Sequence, residues 1–370
     1  MNKRKQRTRF LRRGAAFCAA VGVTALLTAA PWDWGKIGRA AALLAVSVRQ
    51  PAGTLTVLGQ QLGAHATQTV TPPATLSPLE DTRGDTTAVD VPVVAPAGDT
   101  PPITMIDPPG NNGDGGTILT KKMDTGDPHK YGVATINRSG TSVDVAAALG
   151  RELTLSWEDT DAPQVLILHT HTTEGYMTYD GGYYNAGDRN RTQDHHKNVC
   201  AVGEAVKMAL EAAGIAAIHD TTVHDSPVYS GAYSRSAATA RAYLEQYPSI
   251  KVVLDLHRDA VMEGDAVVKP TATVDGQKAA QMMLITGVVS TEALPHPHWQ
   301  ENLTLSTHLQ RALCGVSPDL MRPLNTVASR YNQHLSAGWV LVEMGAEGNT
   351  VAEAVYSGQI LGRTLAALLD

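Results

Sequence analysis

The chain has 370 residues, enough for one sizeable catalytic or binding domain with appendages. Its formal net charge is −6, with a dense basic cluster only at the extreme N-terminus, which argues against a broad nucleic-acid-binding surface. Three scattered cysteines (Cys18, Cys200 and Cys314) exclude a disulfide framework, and with 2 phenylalanines the core must rest on Leu, Val, Ala and Ile.

In chain order, residues 1–13 carry seven Lys or Arg and no acid, and residues 14–30 carry no charge. A basic stretch followed by an apolar run fits a signal peptide or a signal anchor. The flanking Trp32 and Trp34 suit a membrane interface and favour an uncleaved anchor within residues 1–31, with the remainder outside the cytoplasm. Residues 32–64 read as a membrane-proximal segment, in which Arg49, Gln50 and Pro51 argue against a second span. Pro, Thr, Gly and Asp dominate residues 65–130, which cannot bury enough apolar surface to order themselves and read as an extended tether.

From 131 to 370 the pattern becomes globular. A helix is predicted over 143–153, with Asp144 near its start. The apolar run 165–168 reads as a buried strand that continues into His169, His171 and Glu174. A polar, Gly- and Tyr-rich loop follows over 175–195. Val199, Val202, Val206 and Leu210 then repeat at helical spacing over 198–213, with Gly214 at the C-cap position. Strands are predicted at 215–218, 252–256, 280–285 and 339–342, and helices at 234–246, 302–314, 319–324 and 350–369. This alternation predicts an α/β fold, a mostly parallel twisted sheet with helices on both faces.

Such sheets present ligands at the carboxyl ends of their strands. One strand here ends in His169, His171 and Glu174, another in His257, and the last in Glu343, while His195 and His196 stand just before a helix. A lone histidine at a strand end is usually a surface or capping residue, but four such positions on one sheet edge point to a metal centre. Zinc takes imidazole and carboxylate ligands, leaves a position for water and polarises a carbonyl, with a nearby carboxylate as general base. Asp255 is placed to orient a histidine, and Arg258 reads either as a grip for a substrate carboxylate or as a structural partner of Asp259. His219, His224, His296 and His298 read as polar loop residues, and Cys200 and Cys314 as small buried apolar ones. Tyr176, Tyr183 and Tyr184 either line a groove or belong to an ordinary loop.

The blocks VLILHTHTTEGY, NVCAVGEAVKMALEAAGI, HDTTVHDSPVYSGAYSRS, VVLDLHRDA and VLVEMGAEGNT, spread through residues 136–370, closely resemble the stage II sporulation protein P family. The resemblance implies a membrane-anchored peptidoglycan hydrolase whose domain is similar to zinc-dependent N-acetylmuramoyl-L-alanine amidases, with an associated endopeptidase activity. It also implies a single-pass protein facing the intermembrane space of the sporulation septum. The implied partners are the lytic transglycosylase stage II sporulation protein D and the membrane protein stage II sporulation protein M, during engulfment.

Carried over residue by residue, the resemblance to the wider amidases makes His171 a zinc ligand, with His169 as the alternative. In their EKNV-like run a Glu is the second ligand; here the run is HKNV, so His196, or else His195, takes that place. His257 is the third ligand and Glu343 the catalytic carboxylate. Glu174 has no counterpart and is either a second catalytic acid or a residue that holds a ligand histidine in position. A zinc carboxypeptidase acting on stem peptides and a non-catalytic wall-binding scaffold are the alternative functions.

Overall fold

A computed structural model describes residues 100–127, 132–188 and 191–370. The basic N-terminus, the apolar run and the membrane-proximal segment lie outside the described residues. No helix among the described residues is long and apolar enough to cross a membrane.

The strand patterns explain the layers. In β3 (Val165–Leu168) all four residues are buried. Val165 and Ile167 belong to one apolar cluster, Leu166 and Leu168 to a second on the opposite face, as a period of two requires. The long strand β6 (Val252–Asp259) divides the same way: Val252, Leu254 and Leu256 join the first cluster and Val253 the second. A strand apolar on both faces is stable only between two layers of cover.

Seven strands form the main sheet in the order β2-β11-β10-β12-β6-β3-β5. β2 (Thr135–Arg138), β11 (Leu324–Val327) and β10 (Met282–Gly287) run parallel to one another, as do β12 (Trp339–Ala346), β6, β3 and β5 (Ala217–His219). The two groups meet antiparallel at β10–β12. Three helices cover the first face: α2 (Val199–Ala212), α4 (Trp299–Val316) and α5 (Val351–Leu368). α3 (Ala232–Gln246) packs its Ala240 with Leu166, Leu168, Val253 and Trp339 on the other. Full burial of such aliphatic side chains contributes roughly 1.5–3 kcal/mol each. The short α1 (Val145–Gly150) is capped by Asp144, whose carboxylate accepts the Ala147 N–H at 2.9 Å.

A second sheet contains β4 (Tyr183–Tyr184), β1 (Gly116–Lys121), β8 (Ala266–Val274) and β7 (Met262–Glu263), with β9 (Gln277–Ala280) on β8. Buried Lys269 of β8 pairs with Glu353 of α5 at 2.8 Å, and Tyr356 of α5 donates to the Val274 carbonyl. These contacts fasten the second sheet to the helical layer.

Two expectations need correction. Ordered structure begins before the boundary at 131: β1 pairs with β8, Ile103 packs on the main core, and Thr104 N–H donates to the His196 carbonyl at 3.0 Å. The physical reason is that β1 is held by backbone pairing with β4 and β8, which composition does not register. The helix predicted at 319–324 is instead a turn leading into β11, and Pro323 in its last turn is incompatible with a helix continuing there.

Candidate active site

His257 and Glu343 stand side by side because β6 and β12 run parallel in register, with Glu343 opposite His257. A register shift then separates Glu343 from Ala346, with Gly345 at φ 77°. This bulge interrupts the ladder immediately beyond Glu343, before it resumes at Ala346 opposite Asp259, and re-aims the chain there. A side chain at 345 would meet Asn349 Oδ1 at 2.6 Å, so the turn requires glycine.

β3 supplies the other groups. The chain leaves the strand through Thr170, whose N–H and hydroxyl donate to the two oxygens of Asp255 at 2.8 and 2.7 Å. The turn at 171–174 closes with Glu174 N–H donating to the His171 carbonyl. It delivers His171 and Glu174 to the same corner as His257. The rings of His171 and His257 lie 5.3 Å apart, edge to face. Glu174 Oε2 is 3.4 Å from His257 Nδ1 and accepts the Arg258 N–H at 3.0 Å. On the far side of the ring, Asp255 Oδ1 lies 3.0 Å from His257 Nε2.

Tyrosines and an arginine complete the wall. Tyr229 stacks on His171 with centroids 4.5 Å apart, and its hydroxyl lies 3.1 Å from His171 Nε2. Tyr233 packs edge-on against His171 at 5.5 Å. Arg191 holds Asp225 at 2.7 Å, approaches Glu174 Oε1 at 3.5 Å and lies over the Tyr229 ring.

The electrostatics follow from burial and pairing. Burial lowers the His171 pKa to about 4, against the pull of Glu174, so this ring is neutral at pH 7. Burial also opposes charge on His257, but Asp255 and Glu174 outweigh it and hold that ring well above the ordinary histidine value. Glu174 is likewise desolvated, yet His257 keeps it well below the usual carboxylate range. Asp255 is lowered for the same reason, with added help from Thr170. Glu343 goes the other way: burial, then Asp259, raises it to about 8. Two neighbouring carboxylates held in opposite states are what acid–base chemistry at neutral pH needs.

Whether these residues suit a metal is answered by what they leave unpaired. Two shielded atoms at this corner, His171 Nδ1 and Glu343 Oε2, have no hydrogen-bond partner. A buried polar group without a partner costs about 1–3 kcal/mol. Two imidazoles and the Glu174 carboxylate form a donor set that zinc accepts, and Asp255 behind His257 is the carboxylate backing that histidine ligands commonly have. By donor type the residues fit that ion, although their donor atoms do not all lie within 4.8 Å of one another.

The sequence-predicted residues are thus partly gathered and partly not. His171, Glu174, His257 and Glu343 share one corner, and Asp255 does back a histidine. His196 does not join them: it is exposed, and its Nδ1–H donates to the Pro102 carbonyl at 3.0 Å. His195 sits beside it, half-buried. Within the HKNV run Asn198 is buried and caps α2, accepting the Cys200 N–H at 2.9 Å, while His196 faces solvent. Glu174 lies against the same helix start, its carbonyl accepting the Val199 N–H at 2.9 Å.

His169, the alternative to His171, is buried on the α2 side, 3.0 Å from the Leu256 carbonyl and 2.9 Å from His219. The turn that begins at Thr170 separates it from His171, since alternation would keep i and i+2 on one face. Arg258 does not offer a free fork to a ligand, since Nε donates to the Gly175 carbonyl at 3.0 Å and Nη1 lies 3.5 Å from Glu347. His224 is buried, with its ring on the His169 carbonyl and the Thr239 hydroxyl. Tyr176 is buried too, its hydroxyl donating to the Met344 carbonyl. Sequence reasoning missed Tyr229, Tyr233, Arg191 and Asp225. Tyr229 lies in the loop before α3 and Tyr233 in its first turn, and the one signal that could have found them is the block HDTTVHDSPVYSGAYSRS that contains both.

Fold and site together define an α/β protein with a buried His–Glu–His cluster and an elevated carboxyl at the carboxyl ends of its parallel strands. Residues 120–366 match the family model of Stage II sporulation protein P (SpoIIP), and the chain belongs to that family. No curated protein sequence matches it significantly. Among solved structures it is similar to the apo form of the N-acetylmuramyl-L-alanine amidase Ami1 from Mycobacterium abscessus. That match has 14% identity and a TM-score of 0.33, covering 56% of this chain and 100% of that one. Ami1 from Mycobacterium smegmatis gives 14% identity and a TM-score of 0.31, covering 56% and 96%.

Proposed function

We propose that the protein is a zinc-dependent N-acetylmuramoyl-L-alanine amidase that cuts peptidoglycan during sporulation, with zinc held by His171, Glu174 and His257. The observation that carries this reading is the corner itself: two imidazoles and a carboxylate converge beside Glu343, with the shielded atoms His171 Nδ1 and Glu343 Oε2 unpaired. Family membership supplies the biological setting. Glu174 replaces His196 as the second ligand.

The chemistry zinc supplies when bound is polarisation of an amide carbonyl and acidification of a water. Asp255 fixes the His257 ring, and Tyr229 fixes the His171 ring by stacking and through its hydroxyl. Arg191 braces the Glu174 and Asp225 carboxylates. Glu343, raised to about 8 and so protonated at neutral pH, is suited to deliver a proton to the departing amide nitrogen.

The same reading holds the enzyme at the membrane through residues 1–31, facing the septal wall, with stage II sporulation proteins D and M as partners and an endopeptidase activity at the same corner. The test is incubation of the full-length protein with purified sacculi, with and without chelator. Release of intact stem peptides bearing a free L-alanine amine, lost on chelation and restored by zinc, is the expected result. Release only of single C-terminal residues from the stems would replace it with the carboxypeptidase reading.

A further inference from the structure

On the opposite side of β3 from the candidate active site, three metal-binding side chains meet. His169 follows β3, His219 ends β5, and Cys200 lies in the first turn of α2. Their donor atoms all lie within 4.8 Å of one another, the one such group of three among the described residues. His169 and Cys200 are buried, and the His219 side chain is 5% exposed.

The hydrogen bonds fix the tautomers. His169 Nδ1 faces the Leu256 carbonyl at 3.0 Å, which only accepts, so Nδ1 carries the proton and Nε2 presents a lone pair. His219 Nδ1 faces the Glu204 carboxylate at 3.0 Å, so it too carries a proton and its Nε2 presents a lone pair. Those two Nε2 atoms are 2.9 Å apart. Two lone pairs cannot satisfy each other; the contact needs an added proton or a cation between them.

Space for a cation is kept by Gly203. A Cβ at that position would lie 2.4 Å from His219 Nε2 and 2.8 Å from His169 Nε2. Cys200, Gly203 and Glu204 stand at i, i+3 and i+4, so one face of α2 supplies the thiol, the gap and the carboxylate that orients His219.

We propose that His169, His219 and Cys200 form a second metal site, for a zinc-class cation, that ties the ends of β3 and β5 to the start of α2. Two imidazoles and a thiolate are a donor set that zinc accepts, three protein ligands that leave one position of the tetrahedron to water. Without metal, burial raises the Cys200 thiol to about 12, so binding releases its proton. The site does not depend on the amidase reading, since it shares no donor with His171, Glu174 or His257.

Cobalt(II) is the probe, because a thiolate ligand adds a near-ultraviolet charge-transfer band that histidines and carboxylates do not. Metal-stripped full-length protein should bind two equivalents of cobalt, one of which develops the band. Cys200→Ser and His219→Gln should each abolish the band and one equivalent, Gly203→Ala should do the same by filling the gap, and His171→Ala should leave the band intact. A wild-type protein that shows no band, or a band that survives in His219→Gln or in folded Cys200→Ser, overturns the proposal and leaves a shared proton between the two rings.

Discussion

Glu174→Gln separates the set built around Glu174 from the one built around His196. Glutamine keeps the shape and can still accept the Arg258 N–H, but it removes the negative charge 3.4 Å from His257 Nδ1. Breaking a buried ion pair typically costs about 3–5 kcal/mol. Here Asp255 remains 3.0 Å from the other ring nitrogen, so the loss falls below that range, at about 2 kcal/mol for the metal-free protein at pH 7. The sign follows from the shifts. Glu174 is depressed in the folded state, so its contribution is complete above the unfolded value of about 4.3 and fades as pH falls through the depressed one. His257 is raised, so its contribution is complete below about 6.5 and fades as pH rises through the folded value, which the substitution brings down. The gap between the two proteins should therefore be present at neutral pH and close in strong acid. Urea unfolding in the presence of chelator measures it, and elemental analysis without chelator should show the zinc at this corner lost. Wild-type zinc content with an unchanged unfolding midpoint would refute the reasoning, more decisively if His196→Gln lost the metal instead.

Glu343→Gln should keep its zinc while muropeptide release falls by about 10²–10⁴-fold, the usual worth of a general acid–base group. In the metal-free protein the same change should stabilise increasingly from about pH 4.3 to 8, because across that range the unfolded Glu343 is ionised and the folded one is not; urea midpoints across the range check this. Asp255→Asn should weaken zinc binding by about 10–100-fold, read by competition with a chelating dye, because it removes the backing of His257. Thr350→Ala breaks the capping box with Glu353 at the start of α5 and should cost about 1 kcal/mol, seen as a melting temperature about 2–4 °C lower, with catalysis per folded molecule unchanged.

What the sequence disclosed and what it withheld divide along physical lines. Buried strands and amphipathic helices announce themselves by period, so VLIL, the helix from Val199 and the final helix all stand within a few residues of their predicted positions. His171, His257 and Glu343 were legible because each follows an apolar strand on the same sheet edge. The second sheet was not, since β1, GTILTK, exposes most of its residues and is held by pairing with β8. That His196 lies away from this corner and Glu174 within it was hidden for a related reason. Spacing to the helix start favours HKNV, but only the turn after β3 decides which side chain reaches His257, and it brings Glu174 there. Tyr229 and Tyr233 come from a loop and the start of a helix more than fifty positions after His171, and no local pattern connects them to it.

Zinc-edge anomalous diffraction from crystals of the zinc-loaded protein bears most directly on the metal centre. The prediction is a peak enclosed by His171, Glu174 and His257 beside Glu343; a corner without such a peak, or zinc held by His196, contradicts it.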